Sequence, residues 1–134
     1  DCWPLAERYK MNAESLGRSF FPLDKLPTTG AGSTDMGNVS HRVPSIHPMI
    51  ACAPPHVVIH NPKFAKFAGS ETGDAAVIDG AKALAMTAID AMTDDQLMRD
   101  ARDQFAETAD LSAKAIAHAW HDDGDAALGG CGCC

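Results

Sequence analysis

Residues 72–92 carry no proline and repeat apolar side chains at three- and four-residue spacing: Val77, Ile78, Ala81, Leu84, Ala85, Ala88, Ile89 and Met92. On an α-helix these fall on one continuous stripe, whereas Asp79, Lys82 and Asp90 fall largely on the other side. A long helix over 72–92 is therefore predicted, and its stripe requires a surface to pack on. A second helix is predicted to follow at once. Thr93 and Gln96 have capping-box spacing, hydroxyl to one amide and side-chain amide back to the other. Leu97, Ala101, Phe105 and Ala109 then recur every four residues, and Arg99 and Asp103 are spaced to pair across one turn, a contact worth about 0.2–0.5 kcal/mol. Residues 112–120 continue this helix, His121-Asp122-Asp123-Gly124-Asp125 end it, and the last ten residues read as a frayed end.

Upstream, Leu5, Tyr9, Asn12 or Ala13, and Leu16 recur at helical spacing, with Gly17 as a stop signal. Phe20, Phe21, Leu23 and Leu26 are interrupted by prolines and suit an apolar connector or an edge strand. Residues 28–48 are rich in Gly, Ser, Thr and Asn and read as a loop. Within them, 35–40 can form a short helical turn capped by Ser33 or Thr34. The runs 45–52 (SIHPMIAC) and 56–60 (HVVIH) suit short buried strands, held apart by Pro54-Pro55. The expectation is an α/β fold, with a few short strands and the long C-terminal helices packed on them.

At 134 residues the chain suits one domain with a real core. Its 46% hydrophobic and 22% charged residues are a globular composition. The net charge of −7 and the lack of a basic stripe argue against nucleic acid and anionic membrane as partners. No apolar run approaches the roughly 20 residues that span a bilayer. The start, Asp1-Cys2-Trp3-Pro4, is not a signal peptide and has no initiator Met, so a processed chain or a piece of a longer one is expected. Five cysteines, unevenly spread, do not make a disulfide framework and point to a reducing, cytoplasmic setting. Cys131, Cys133 and Cys134 offer thiolates to a soft metal, but a disordered terminus is the simpler expectation.

Two candidate chemistries stand out. His60 ends an apolar run just before Asn61-Pro62, where a rigid scaffold can present a ligand, and neutral imidazole is a common zinc ligand. A lone histidine there is more often structural. His56 and His60 share a face of a strand but lie roughly 13 Å apart, too far to bind one metal without a bend. In Gly32-Ser33-Thr34-Asp35, consecutive amides entering a helical turn can hold an anion, a carboxylate as well as a phosphate. A generic turn explains the same composition. No Gly-Lys-Ser/Thr ending is present, which excludes a P-loop. The glutamates Glu7, Glu14, Glu71 and Glu107 all fall in or beside helical segments, so His60 gathers no convincing metal partners.

The order of these segments carries more. GSTDMGNVSHRVPSIHP, then His60 in IHNPKFAKFAGS, then AAVIDGAKALAMTAIDAM, resembles the end of the zinc amidohydrolase/aminoacylase superfamily, metallopeptidase family twenty. The nearest branch is that of the aminobenzoyl-glutamate hydrolases and dipeptidase-like amidohydrolases. The resemblance covers roughly residues 5–109. It implies the end of an α/β-sandwich catalytic domain with a two-metal zinc centre, without the lid domain. It implies that Gly32, Ser33 and Thr34 hold a substrate carboxylate, with Asp35 supporting the turn, and that His60 is the last metal ligand. His47 fits the branch's PSIHP pattern without a firm role. The family's first ligands, bridging acid and general-base glutamate have no counterpart here.

These implications define the leading expectation. Residues 1–110 form the C-terminal segment of a metal-dependent amidohydrolase or peptidase, and 111–134 form a helical extension with a Gly/Cys tail. The complete enzyme cleaves an N-acyl amino acid, an aminobenzoyl-glutamate-like compound or a dipeptide. Its partners are that small-molecule amide substrate, the remainder of the catalytic domain and a second full-length copy. This chain supplies no catalytic acid or base and is expected to be inactive alone. The alternative is a non-catalytic α/β interaction module that buries the 72–92 helix against a partner. A structural expectation follows: His60 and residues 32–35 share one edge of a small sheet, with the 72–92 helix on one of its faces.

Overall fold

A computed structural model describes residues 2–21 and 34–121. The described residues contain five helices: α1 (Trp3–Ser15), α2 (Met36–Ser40), α3 (Pro62–Ala68), α4 (Glu71–Thr93) and α5 (Asp95–His121). None of the described residues forms a strand, which corrects the expected α/β sandwich. Residues 44–60, where strands were expected, run as irregular chain. Pro44, Pro48, Pro54 and Pro55 remove ladder donors, and among the described residues no second strand pairs with them. His60 leaves the β region altogether, with φ +62°. The sheet edge on which His60 and residues 32–35 were expected to meet is therefore absent from the described residues.

Local signals explain the helix ends. Pro4 sits in the first turn of α1, where its missing N–H costs nothing. At the other end Gly17 takes φ +86°, its amide donates to Glu14 O at 2.9 Å, and the Arg18 amide donates to Ala13 O at 3.1 Å. That pair of bonds is a Schellman motif, and only glycine enters the left-handed region without strain. Asn61 caps α3, its Oδ1 accepting from the Lys63 and Phe64 amides at 2.8 and 3.1 Å, with Pro62 at the first helical position. The expected capping box at Thr93 and Gln96 does not form. Asp94 caps α5 instead, its Oδ1 accepting from the Gln96 and Leu97 amides, both at 3.1 Å. Thr93 closes α4 and donates back to Ile89 O at 2.8 Å. Arg99 bonds Gln96 Oε1 at 2.9 Å rather than pairing with Asp103.

α4 is the hub: it packs on α1, α3 and α5, and α1 also packs on α5, while α2 packs on none of the other helices. The buried face of α4 is not the large apolar stripe. Gly73, Ala76, Ala83 and Thr87 are buried and Gly80 is half-buried, a three-four-three-four run of small residues. Ala83 lets α1 come close, and Tyr9 and Ala13 pack against it with Leu16 and Ile46 beside them, while Gly73 lies against Ala68 of α3 and Gly80 against Ile50. Phe20 meets the Tyr9 ring edge-on at 6.3 Å. The irregular 45–51 segment straps this core. Ser45 O accepts from the Cys2 amide at 3.2 Å, and Ala51 O accepts from Arg18 Nη1 at 3.2 Å.

Polar bonds fix the register of α1 along α4. Arg8 bridges Asp94 at 2.7 Å and Asp90 at 3.5 Å, and Arg18 pairs with Asp79 at 2.7 Å. Asn12 Nδ2 donates to Asp90 Oδ2 at 2.8 Å and to Thr87 Oγ1 at 3.1 Å. Such half-buried pairs add modest stability and strong positional preference. No described helix is long and apolar enough to cross a membrane. Cys2 and Cys52 are free thiols. The expected tail site at Cys131, Cys133 and Cys134 lies outside the described residues.

Candidate functional site

His60 stands at a tightly fixed corner. Its left-handed backbone is uncommon for a residue with a Cβ, although histidine tolerates it better than most. The corner is locked from the C-terminal side: Asn61 caps α3 through Oδ1 while its Nδ2 donates to Val58 O. One side chain thus ties both flanks of His60. The imidazole is exposed and borders an open groove lined by Met49, Ile59, Asn61, Pro62, Phe64 and Ala65. The groove is apolar apart from His60 and Asn61. It can take up an apolar side chain and place a polar atom against the ring. The Asn61 cap is a feature that the sequence reading passed over, although Asn followed by Pro before a helical run signals it.

The second candidate is the turn at residues 32–35. Gly32 and Ser33 lie outside the described residues. Thr34 and Asp35 are exposed and lead into α2. Thr34 Oγ1 accepts from the Met36 amide at 3.3 Å and Thr34 O from the Gly37 amide at 3.1 Å. Asp35 O accepts from the Asn38 amide at 3.0 Å. Asp35 rather than Thr34 is the N-cap residue of α2, and it makes no side-chain capping bond; the Thr34 hydroxyl closes a tight turn, inside which the amides of 36–38 are satisfied. No described hydrogen bond or helix contact joins this turn to His60.

Zinc was the expected cofactor, with His60 as a ligand. Among the described residues no three His, Cys, Asp or Glu side chains gather closely enough to hold a metal ion. A zinc centre takes at least three protein donors. His60 supplies one, so the described residues do not fit a metal centre by themselves. His41, His47 and His56 are exposed and join no such group.

Comparison with known proteins gives a likeness in sequence. The chain is 36% identical over 101 residues to the Xaa-Arg dipeptidase of Mus musculus and equally to that of Homo sapiens. The matched stretch is 75% of this chain and 23% of each relative, so the chain spans about a quarter of the length of the curated relatives it matches. No family model matches the chain, and no solved structure matches it. Over three quarters of its length, the chain is similar in sequence to dipeptidase-type peptidases.

Proposed function

We propose that this chain is one part of a metal-dependent dipeptidase-type hydrolase and is inactive by itself. The observation that carries this reading is the 36% identity over 101 residues to the two Xaa-Arg dipeptidases, which are much longer. In the proposal His60 is one metal ligand, and the turn at Gly32, Ser33, Thr34 and Asp35 receives the carboxylate of the substrate. The fixed corner at Asn61-Pro62 supports the first role, because a ligand on a rigid turn needs little ordering when metal binds. The single donor explains why the chain alone would hold no hydrolytic centre; the other ligands and the general base would come from the rest of the enzyme. Dipeptides ending in arginine are the first substrates to try. The aminobenzoyl-glutamate-like and N-acyl amino acid classes are the next.

A chimera tests the reading: mouse Xaa-Arg dipeptidase with this chain in place of the matched segment. Hydrolysis of an Xaa-Arg dipeptide is expected from the chimera and not from the 134-residue chain. His60→Ala should lower both bound zinc per chain and kcat, and Thr34→Ala should raise KM more than it lowers kcat. Unchanged zinc content in the His60→Ala chimera, or hydrolysis by the 134-residue chain alone, would sink the proposal.

A further inference from the structure

The outer face of α4 is apolar and uncovered. Val77 is 69% exposed, Ile78 54%, Leu84 48%, Ile89 56% and Met92 76%. Charge is nearly absent from it. Asp79 and Asp90 bond to Arg18, Arg8 and Asn12 on the α1 side, which leaves Lys82 as the one charged residue on the exposed side between 75 and 92. The other face is already used by the small residues that pack on α1, on α3 and on Ile50. A helix apolar on both faces belongs in the interior of a larger fold. We infer that this outer face docks on the remaining polypeptide of a longer dipeptidase-type chain, so that α4 lies sandwiched between α1 and that polypeptide. The identity of the occupant rests on the proposed function; the need for a cover rests on the exposed face alone.

Two observations favour this occupant over a second copy. The relatives carry more than three times as much chain as the matched segment, so a large body of polypeptide stands available to cover the face. A single helix strip offers a few hundred Å², whereas a stable self-association buries about 800 Å² per partner.

The same chimera separates the possibilities when read by oxidation. Peroxide should convert Met92 to the sulfoxide about tenfold more slowly in the chimera than in the 134-residue chain, since reactivity follows exposure. Ile89→Asp should leave the helical circular dichroism and Tm of the 134-residue chain unchanged and lower the Tm of the chimera; Ile78→Ser, a milder change, should act in the same direction. Equal oxidation of Met92 in both proteins would overturn the inference. So would equal Tm losses in both, a chimera that fails to fold, or a 134-residue dimer by sedimentation with Met92 protected. Activity reads separately: a protected Met92 without hydrolysis sinks the proposed function alone, and hydrolysis with Met92 still reactive sinks the docking alone.

Discussion

Asp94 ties two helices, α1 and α5, with one carboxylate. Its Oδ1 caps α5, and its Oδ2 accepts from Arg8 Nη2 on α1 at 2.7 Å, just past the end of α4. The Leu97 amide, then the Arg8 guanidinium, hold its pKa below the usual carboxylate value. A folded-state pKa lowered in this way stabilises the fold above the unfolded value of about 3.9 and is lost as pH falls through the folded one. Asp94→Asn keeps a good cap and loses the charge, so its Tm should fall below wild type at pH 7 and converge with it toward pH 2. Asp94→Ala loses both and should fall further at neutral pH. A wild-type advantage over Asp94→Asn that persists at pH 2 would exclude this account. Gly17 gives a sharper local case. Its φ of +86° disfavours any Cβ, and Gly17→Ala should cost about 1 kcal/mol in urea unfolding even though the new methyl meets nothing within 4 Å.

The helices show what local sequence encodes. α1, α4 and α5 were legible because their periodicity, the Gly17 stop and the helix break near residues 93–95 act within a few residues. The strands were misread because a run such as HVVIH has strand composition but forms a strand only against a partner. The face of α4 was misread for a related reason: hydrophobicity chose the stripe, while packing against α1 and α3 chose size. Gly73, Ala76 and Ala83 are weak hydrophobes, yet they are what a close helix–helix approach requires. Two glycines on that face should respond with opposite signs. A Cβ on Gly73 would press on Ala68 and lie 2.7 Å from Phe67 O, so Gly73→Ala should push α3 away and cost about 1–3 kcal/mol. A Cβ on Gly80 would meet the Ile50 side chain at an ordinary 3.5 Å. Gly80→Ala should therefore stabilise α4, by about 0.5–1 kcal/mol from helix propensity. Thermal melts of the two variants measured side by side check the contrast.

Across the chain, the candidate site was legible only in pieces. The polar turn at Thr34 and the position of His60 before a helix follow from local chemistry. What brings a turn and a ligand together is tertiary structure, and here the described helices do not join them. The same sparseness governs stability. Among the described residues, the buried apolar side chains apart from Cys2, Tyr9 and Leu97 are alanines, because the large side chains of α4 face outward. Tyr9 is the largest buried side chain among the described residues, and Ala13, Leu16, Phe20, Ile46 and Ala83 pack around it. Truncating a buried aromatic typically costs about 3–5 kcal/mol, and the total stability of a domain is about 5–15 kcal/mol. With so few large side chains buried among the described residues, the 134-residue chain is expected to sit at the low end of that range. Tyr9→Ala should then abolish the cooperative urea transition at 25 °C, while Phe21→Ala, at an exposed position next to the same cluster, should leave it within about 0.5 kcal/mol of wild type. A Tyr9→Ala protein that still unfolds cooperatively near the wild-type midpoint would mean that the core lies elsewhere than between α1 and α4.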